Sequence, residues 1–261
     1  MGSFTSSVMG PDAGERAWIL HRYPYGDSSL VVEALTEGHG RWAVLARGAR
    51  RQRSRWGVLE PGRAFWMRWT GRGDLPALAG AEEIASVSMT APVQPLMLFY
   101  LNELLLRLTR RGDPHPDLFT VYSGVLSDIY SPGAPVWPLR RFERRLLEIL
   151  GWATDLEGCA ECGRACQEPA ADGSWSLVPG AGLYCPGHQD DRPGGHKMGA
   201  GAILWLRGSM ETGPGPDLLG PLRRYLAAEL GAVLGDRPLE SRRLLAAYLH
   251  SIPATKGTLP E

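Results

Sequence analysis

Two groups of residues in this chain have the types and the spacing to do chemistry. The first is a set of sulfur and imidazole donors. Cys159 and Cys162 make a C-x2-C corner followed by Gly163, and Cys185 with His188 makes a C-x2-H corner around Pro186 and Gly187. Two ligands three positions apart sit on one tight turn, and two such turns brought together meet the tetrahedral preference of zinc for soft sulfur and imidazole ligands. Between the corners, "SWSLV", "PGAG" and "LY" read as a short hairpin that carries one corner back to the other. Cys166 is a fifth potential ligand, able to replace His188 or to remain a free thiol.

Four ligands leave no open position for a water, and no H-x-E accompanies a P-C-x-x-C, so the expected metal is a structural staple and not a catalyst. It would fix an excursion too short to bury a core of its own. Disulfides are disfavoured in a reducing cytosol. A set of metal-free thiols leaves the paired x2 spacings unexplained, and no βαβ pattern surrounds the C-x-x-C to suggest a redox site.

The second group is basic. "GARRQRSRWG", residues 48–57, carries Arg50, Arg51, Arg53 and Arg55 in a chain of zero formal net charge. From Gly38 to Arg72 there are nine arginines against the single acid Glu60, a local charge of +8. Only Lys197 and Lys256 among the 28 basic residues are lysines. The choice of Arg over Lys therefore follows overall composition, and position carries the information. A compact basic patch inside a neutral protein points to a polyanionic ligand on one face, the alternative being a solvated loop. Trp42, Trp56, Trp66 and Trp69 belong mostly to a core, yet Trp56, inside the Arg loop, and Trp66, on the strand face of Arg68, are placed to stack on bases.

Other chemistry is missing from the pattern. There is no G-x4-G-K-[ST], no G-x-G-x-x-G and no G-x-S-x-G. His21, His39, His115, His196 and His250 each lack a neighbouring constellation. No catalytic residue is expected, and the chain is read as not an enzyme.

The elements that must position these groups change in texture along the chain. From Arg16 to about Ile84, "RAWILHR", "SSLVVEALT", "RWAVLARG" and "RAFWMRWTG" are short, β-branched and aromatic, with Phe65, Met67 and Trp69 alternating against Trp66, Arg68 and Thr70. Five short, basic, Trp-rich strands suit a Greek-key barrel of the OB type. After "APVQP" the period becomes helical: Leu98, Leu101, Leu105 and Leu108 make one stripe, Phe142, Leu146, Ile149 and Leu150 another, and the region from about Ala200 continues as helices. The expected organisation is α+β and multidomain. It comprises a flexible N-terminus at 1–15, an OB-fold DNA-binding domain at 16–88, an α-helical domain at 92–261 and a zinc-binding insertion at 156–192. The opening "MGSFTSSVMGPDAGER" lacks a basic and apolar leader, and no apolar stretch is long enough to span a bilayer, so a cytoplasmic location with no membrane partner is expected.

"RAWILHRYPYGDSSLVVEALTEGHGRWAVLARGARRQRSRWGVLEPG" resembles the N-terminal domain of the RecO family, with its Y-G-[ED]-x-[SD] turn, T-x-x-x-G and G-A-[RK]-[RK]-x-x-S-[RK] segment. "RRFERRLLEILGWATDLEGCAECG" is similar to the family's helix leading into a zinc knuckle, and "LESRRLLAAYL" to its final helix. The resemblance implies a non-enzymatic recombination mediator of the RecF pathway of DNA repair. Such a protein binds single- and double-stranded DNA, anneals complementary strands and, with RecR, assists RecA loading on DNA coated by single-strand DNA-binding protein, whose acidic tail is a further partner. The implied DNA surface maps onto Arg47, Arg50, Arg51, Arg53 and Arg55, joined here by Trp56, Trp66 and Arg68. Family members with a zinc module usually carry two C-x2-C corners, and His188 stands in the last position here. Two other readings stand beside this one: a zinc-stapled protein adaptor that takes an acidic peptide on the Arg-rich loop, and a zinc hydrolase, which would need an open coordination site.

Overall fold

The computed structural model describes residues 14–56, 58–131, 136–166, 175–188, 194–209 and 213–251. In chain order the strands and helices open with β1 (Glu15–Tyr25), β2 (Ser29–Thr36), β3 (Gly40–Ala46), β4 (Arg63–Thr70) and β5 (Ala77–Ser86). Three helices follow, α1 (Val93–Leu108), α2 (Pro116–Ile129) and α3 (Trp137–Ile149). Then come β6 (Trp175–Val178), β7 (Gly182–Tyr184), β8 (His196–Met198), α4 (Ala200–Leu206), α5 (Pro216–Leu234) and α6 (Glu240–Ser251). Residues 1–13, most of the segment expected to be a flexible N-terminus, lie outside the described residues, as do 167–174 and 189–193 around the expected zinc insertion.

The first five strands close into a barrel in the order β1-β2-β3-β5-β4. Every pairing is antiparallel except β3 with β5, which meet in parallel at Leu45 and Ala77. One-sided burial drives the closure. On β4, Phe65, Met67 and Trp69 point into the barrel with Ile19, Val32 and Val44, while Trp66, Arg68 and Thr70 point out. This is the OB-type barrel expected from the period-two pattern.

A bulge at Leu20 interrupts β1, whose partners step from Ile19↔Ala34 to His21↔Glu33. One extra residue reverses the facing of everything beyond it, so Tyr23 and Tyr25 emerge on the outside, 44% and 53% exposed. The bulge also frees the Leu20 carbonyl, and Asn102 of α1 donates to it at 2.9 Å. Asn102 in turn accepts a 2.5 Å hydrogen bond from the hydroxyl of Tyr122 on α2. A buried amide thus ties both helices to this bulge in the barrel wall.

The chain divides into two compact units, the described residues of Met1–Pro132 with Leu239–Pro253, and those of Gly133–Pro238. This differs from a single helical domain over 92–261. Helix α1 is apolar around most of its circumference, burying Met97, Leu98, Leu101, Leu104 and Leu105, so it needs cover on several sides. It contacts β1 and α2, and α6 returns to complete the enclosure. Glu103 on α1 accepts from the Glu240 and Ser241 backbone N–H groups at 3.2 and 2.9 Å and from the Ser241 hydroxyl, so its carboxylate caps the N-terminus of α6. Composition shows that these segments are helices, but it does not show which unit each one covers.

In the second unit a three-stranded sheet, β7-β6-β8, stands beside α3, α4 and α5. The hairpin of β6 and β7 matches the expectation. Strand β8, only His-Lys-Met, lacks a β-rich run and forms because Met198 pairs with Trp175.

Candidate functional site

The nine arginines between residues 38 and 72 separate into two sets. Arg41 and Arg63 are spent on the fold: Arg41 reaches the buried Glu33 at 3.3 Å, which Arg111 also meets, and Arg63 pairs with Glu83 at 2.8 Å. Arg47, Arg50, Arg51, Arg53, Arg55, Arg68 and Arg72 are exposed and have no ion-pair partner among the described residues. The structure therefore brings the expected Arg-loop residues together as uncompensated positive charge.

Local hydrogen bonds hold that loop. Arg50 N–H donates to Ser28 O at 2.8 Å, Gly48 N–H to the Ser29 hydroxyl at 3.3 Å, and the Arg50 guanidinium to Gly26 O at 3.3 Å. The loop is thereby pinned to the β1–β2 turn. Two short turns, Gly48 to Arg51 and Arg51 to Ser54, carry it forward. Trp56 then inserts into the barrel core at 5% exposure, and its indole N–H donates to Arg47 O at 2.8 Å. Expected as a stacking residue, Trp56 is instead an anchor whose ring is covered by the Arg55 guanidinium 4.0 Å above it. Trp66 is different: it is 38% exposed on the outer face of β4. A cleft joins Arg55, Trp66 and Arg68 with Gly80 and Glu82 of β5. The sequence pattern does not single out Tyr25, which the β1 bulge turns outward on the hairpin whose tip holds Arg50.

The second unit assembles the predicted ligands. Cys159, Cys162, Cys185 and His188 place one donor atom each within 4.8 Å of one another. Cys162 Sγ lies 3.9 Å from Cys185 Sγ, and His188 Nδ1 lies 3.7 Å from Cys159 Sγ and 3.2 Å from Cys185 Sγ. A tetrahedron with metal–sulfur bonds of ~2.3 Å has edges of about 3.8 Å, so the donor set fits a zinc-sized cation. Both corners are tight turns, Gly163 N–H to Cys159 O and His188 N–H to Cys185 O, each 2.8 Å. Burial pushes the Cys159 thiol up, but backbone N–H groups of Cys185, Cys162 and Glu161 outweigh it and bring it down to about 6. That favours the thiolate a metal requires. Cys166 falls outside this group of four, and burial raises its pKa.

Arg207, just past α4, fastens the module. It donates to Leu156 O at 2.8 Å, Cys166 O at 3.0 Å and Glu157 O at 2.9 Å. Glu229 of α5, almost wholly buried, accepts from Thr154 N–H at 3.1 Å and Gly180 N–H at 3.2 Å. Neither residue carries a local sequence signal, because each acts on backbone groups far away in the chain.

Comparison with known proteins agrees with this architecture. Residues 10–87 match the family model "Recombination protein O N terminal", and residues 96–211 match "Recombination protein O C terminal". The chain is 52% identical over 241 residues to the DNA repair protein RecO of Acidithiobacillus ferrooxidans, covering 92% of this chain and 93% of that one. It is 38% identical over 237 residues to the protein of the same name from Alkalilimnicola ehrlichii, covering 87% and 88%. A third relative of that name, from Azoarcus sp., is 32% identical over 236 residues, covering 90% and 96%. With a closed OB-type barrel, a Cys/His cluster and similarity along nearly its whole length, this chain belongs to the RecO family.

Proposed function

We propose that this protein is a non-enzymatic DNA-binding recombination mediator of the RecF pathway. It binds single- and double-stranded DNA, anneals complementary strands and, with RecR, assists RecA loading on DNA coated by single-strand DNA-binding protein, whose acidic tail is a further partner. The observation that carries this reading is the exposed set Arg47, Arg50, Arg51, Arg53 and Arg55, without ion-pair partners among the described residues and pinned by local hydrogen bonds on an OB-type barrel. Positive charge held in place without internal partners is suited to phosphates, which give affinity and fix register without reading sequence. Two strands that keep their bases free while their phosphates are neutralised repel each other less, which favours pairing.

The metal in this reading is zinc, held by Cys159, Cys162, Cys185 and His188, and its role is structural, since all four positions of a tetrahedron are filled by protein. The protein acts in the cytoplasm, in association with the nucleoid. No helix among the described residues is long and apolar enough to cross a membrane.

A strand-annealing assay, run on bare strands and on strands coated with single-strand DNA-binding protein, tests the proposal. Annealing faster than the spontaneous rate in both arms is the expected result. A protein that binds an acidic peptide but is not retained on single-stranded DNA would establish the adaptor reading instead.

A further inference from the structure

The cleft on β4 and β5 has features that phosphate gripping alone does not use. Of the five tryptophans in the barrel sequence, Trp18, Trp56 and Trp69 are at most 9% exposed, whereas Trp66 shows 38% of its surface. Such a large apolar ring is left in solvent on a strand whose neighbours Phe65 and Met67 are buried.

The strand register arranges polar groups around it. Trp66 stands directly opposite Glu82, and Arg68 opposite Gly80. A Cβ on Gly80 would lie 3.0 Å from Arg68 Nη2 and 3.1 Å from Nε, so glycine lets the guanidinium lie flat on β5 beside the indole. At the other edge Gly14, with φ of +73°, runs so close that a Cβ there would sit 2.6 Å from both Trp66 Nε1 and Arg68 Cγ. Arg55, stacked on Trp56, forms the remaining wall. Glu82 is exposed and has no ion-pair partner among the described residues, although Arg55 and Arg68 line the same cleft. The cleft measures about 280 Å³, the size of a single nucleotide and just under the ~300 Å³ where drug-sized pockets begin. It also lies across β4 and β5, away from the strand 2–3 face that OB folds ordinarily use for oligonucleotides.

We propose that this cleft is a slot for one unpaired nucleobase, stacked on Trp66, flanked by Arg55 and Arg68 toward the adjoining phosphates, and selected by Glu82 for an amino-bearing base. Stacking accepts any base, because every base has a π-face. The carboxylate adds discrimination: it accepts from the N4 amino group of cytosine, whereas thymine offers the carbonyl O4 in that place. The slot rests on the DNA-binding reading of the Arg loop and adds to it a preference for single strands, since a paired base is not available to stack.

The test is equilibrium binding of the full chain to oligo(dC), oligo(dT) and a duplex of equal length at fixed salt. Wild-type protein is expected to bind oligo(dC) more tightly than oligo(dT). Trp66→Ala should weaken oligo(dC) binding about tenfold, the scale of one stacked base, with duplex affinity within twofold of wild type. Trp66→Phe keeps a platform and should stay within about threefold. Glu82→Gln should bring oligo(dC) and oligo(dT) to within twofold of each other. Trp66→Ala binding single strands as wild type does, or losing single strands and duplex equally, overturns the slot. A wild-type protein without base preference, or a preference that survives Glu82→Gln, overturns the role of Glu82. In all of these outcomes the Arg-loop reading stands, and it fails separately if wild-type protein does not bind DNA at all.

Discussion

Replacing Arg50, Arg51, Arg53 and Arg55 together with alanine separates charge from fold. Seven exposed arginines between residues 38 and 72 lack ion-pair partners among the described residues, namely Arg47, Arg50, Arg51, Arg53, Arg55, Arg68 and Arg72. If each neutralises one phosphate of a single strand, the slope of log affinity against log salt is about −5, and the quadruple variant, with three left, falls to about −2. Between ~50 and ~200 mM salt the wild type should then lose roughly 1,000-fold in affinity and the variant only about 20-fold. Stability should change little. Among the described residues the four side chains make one hydrogen bond to backbone, Arg50 to Gly26 O at 3.3 Å, and one stack, Arg55 on Trp56 at 4.0 Å. Together these contribute less than about 2 kcal/mol. Fluorescence anisotropy with a labelled oligonucleotide over a salt series reads the slope, and urea unfolding reads the fold. A variant that unfolds like wild type and retains the wild-type slope would refute the assignment of these arginines to phosphates.

Three other outcomes follow from the geometry. Cys162→Ser and His188→Ala should each lower bound zinc well below one equivalent by atomic absorption, while Cys166→Ser keeps it, because Cys166 stands outside the four-donor group. Asn102→Leu removes the hydrogen bond to the bulge carbonyl of Leu20 and the one accepted from the Tyr122 hydroxyl, and urea unfolding should show a loss of about 1–3 kcal/mol. His21 is exposed overall, yet partial desolvation of its ring is the main influence and lowers its pKa, with Glu33 opposing and Arg22 adding to the lowering. Below the ordinary value of ~6.5 the unfolded chain therefore binds this proton more readily than the fold does, and stability falls as pH drops through that window. His21→Gln should show a smaller decline in urea midpoint than wild type between pH 7.5 and 5.5; an equal decline would exclude His21 as a source.

Much of this architecture is legible in the residues because it depends on local rules. Alternation along β4 follows from the two-residue pleat, and the paired corners at Cys159 and Cys185 follow from the reach of a tight turn. The parts that are not legible depend on distant partners. The β4 alternation puts Trp66 on the outer face, but nothing in the local pattern shows that Trp56, in a loop among arginines, turns into the barrel core. The Leu20 bulge leaves no mark in composition, yet it decides that Tyr23 and Tyr25 face outward. Arg207 and Glu229 satisfy backbone groups about 50 and 75 residues away, which no window of neighbouring residues reveals. Arg41 lies within the basic run and is nonetheless held by Glu33, so a charge count over residues 38–72 overstates what is free for a ligand.

The return of α6 to α1 also sets the order of events at the ribosome. The barrel, α1 and α2 are complete by Pro132, but the helix that covers α1 begins beyond Leu239, after the whole second unit. At synthesis rates of ~5–20 residues per second, the apolar flank of α1 waits about 5–20 s for its cover. A chain released anywhere in between would carry the basic loop and the barrel yet expose that flank to chaperones and proteases. Placing the closing helix after the whole second unit makes the stability of the barrel unit a report on whether synthesis has run on through Ser251.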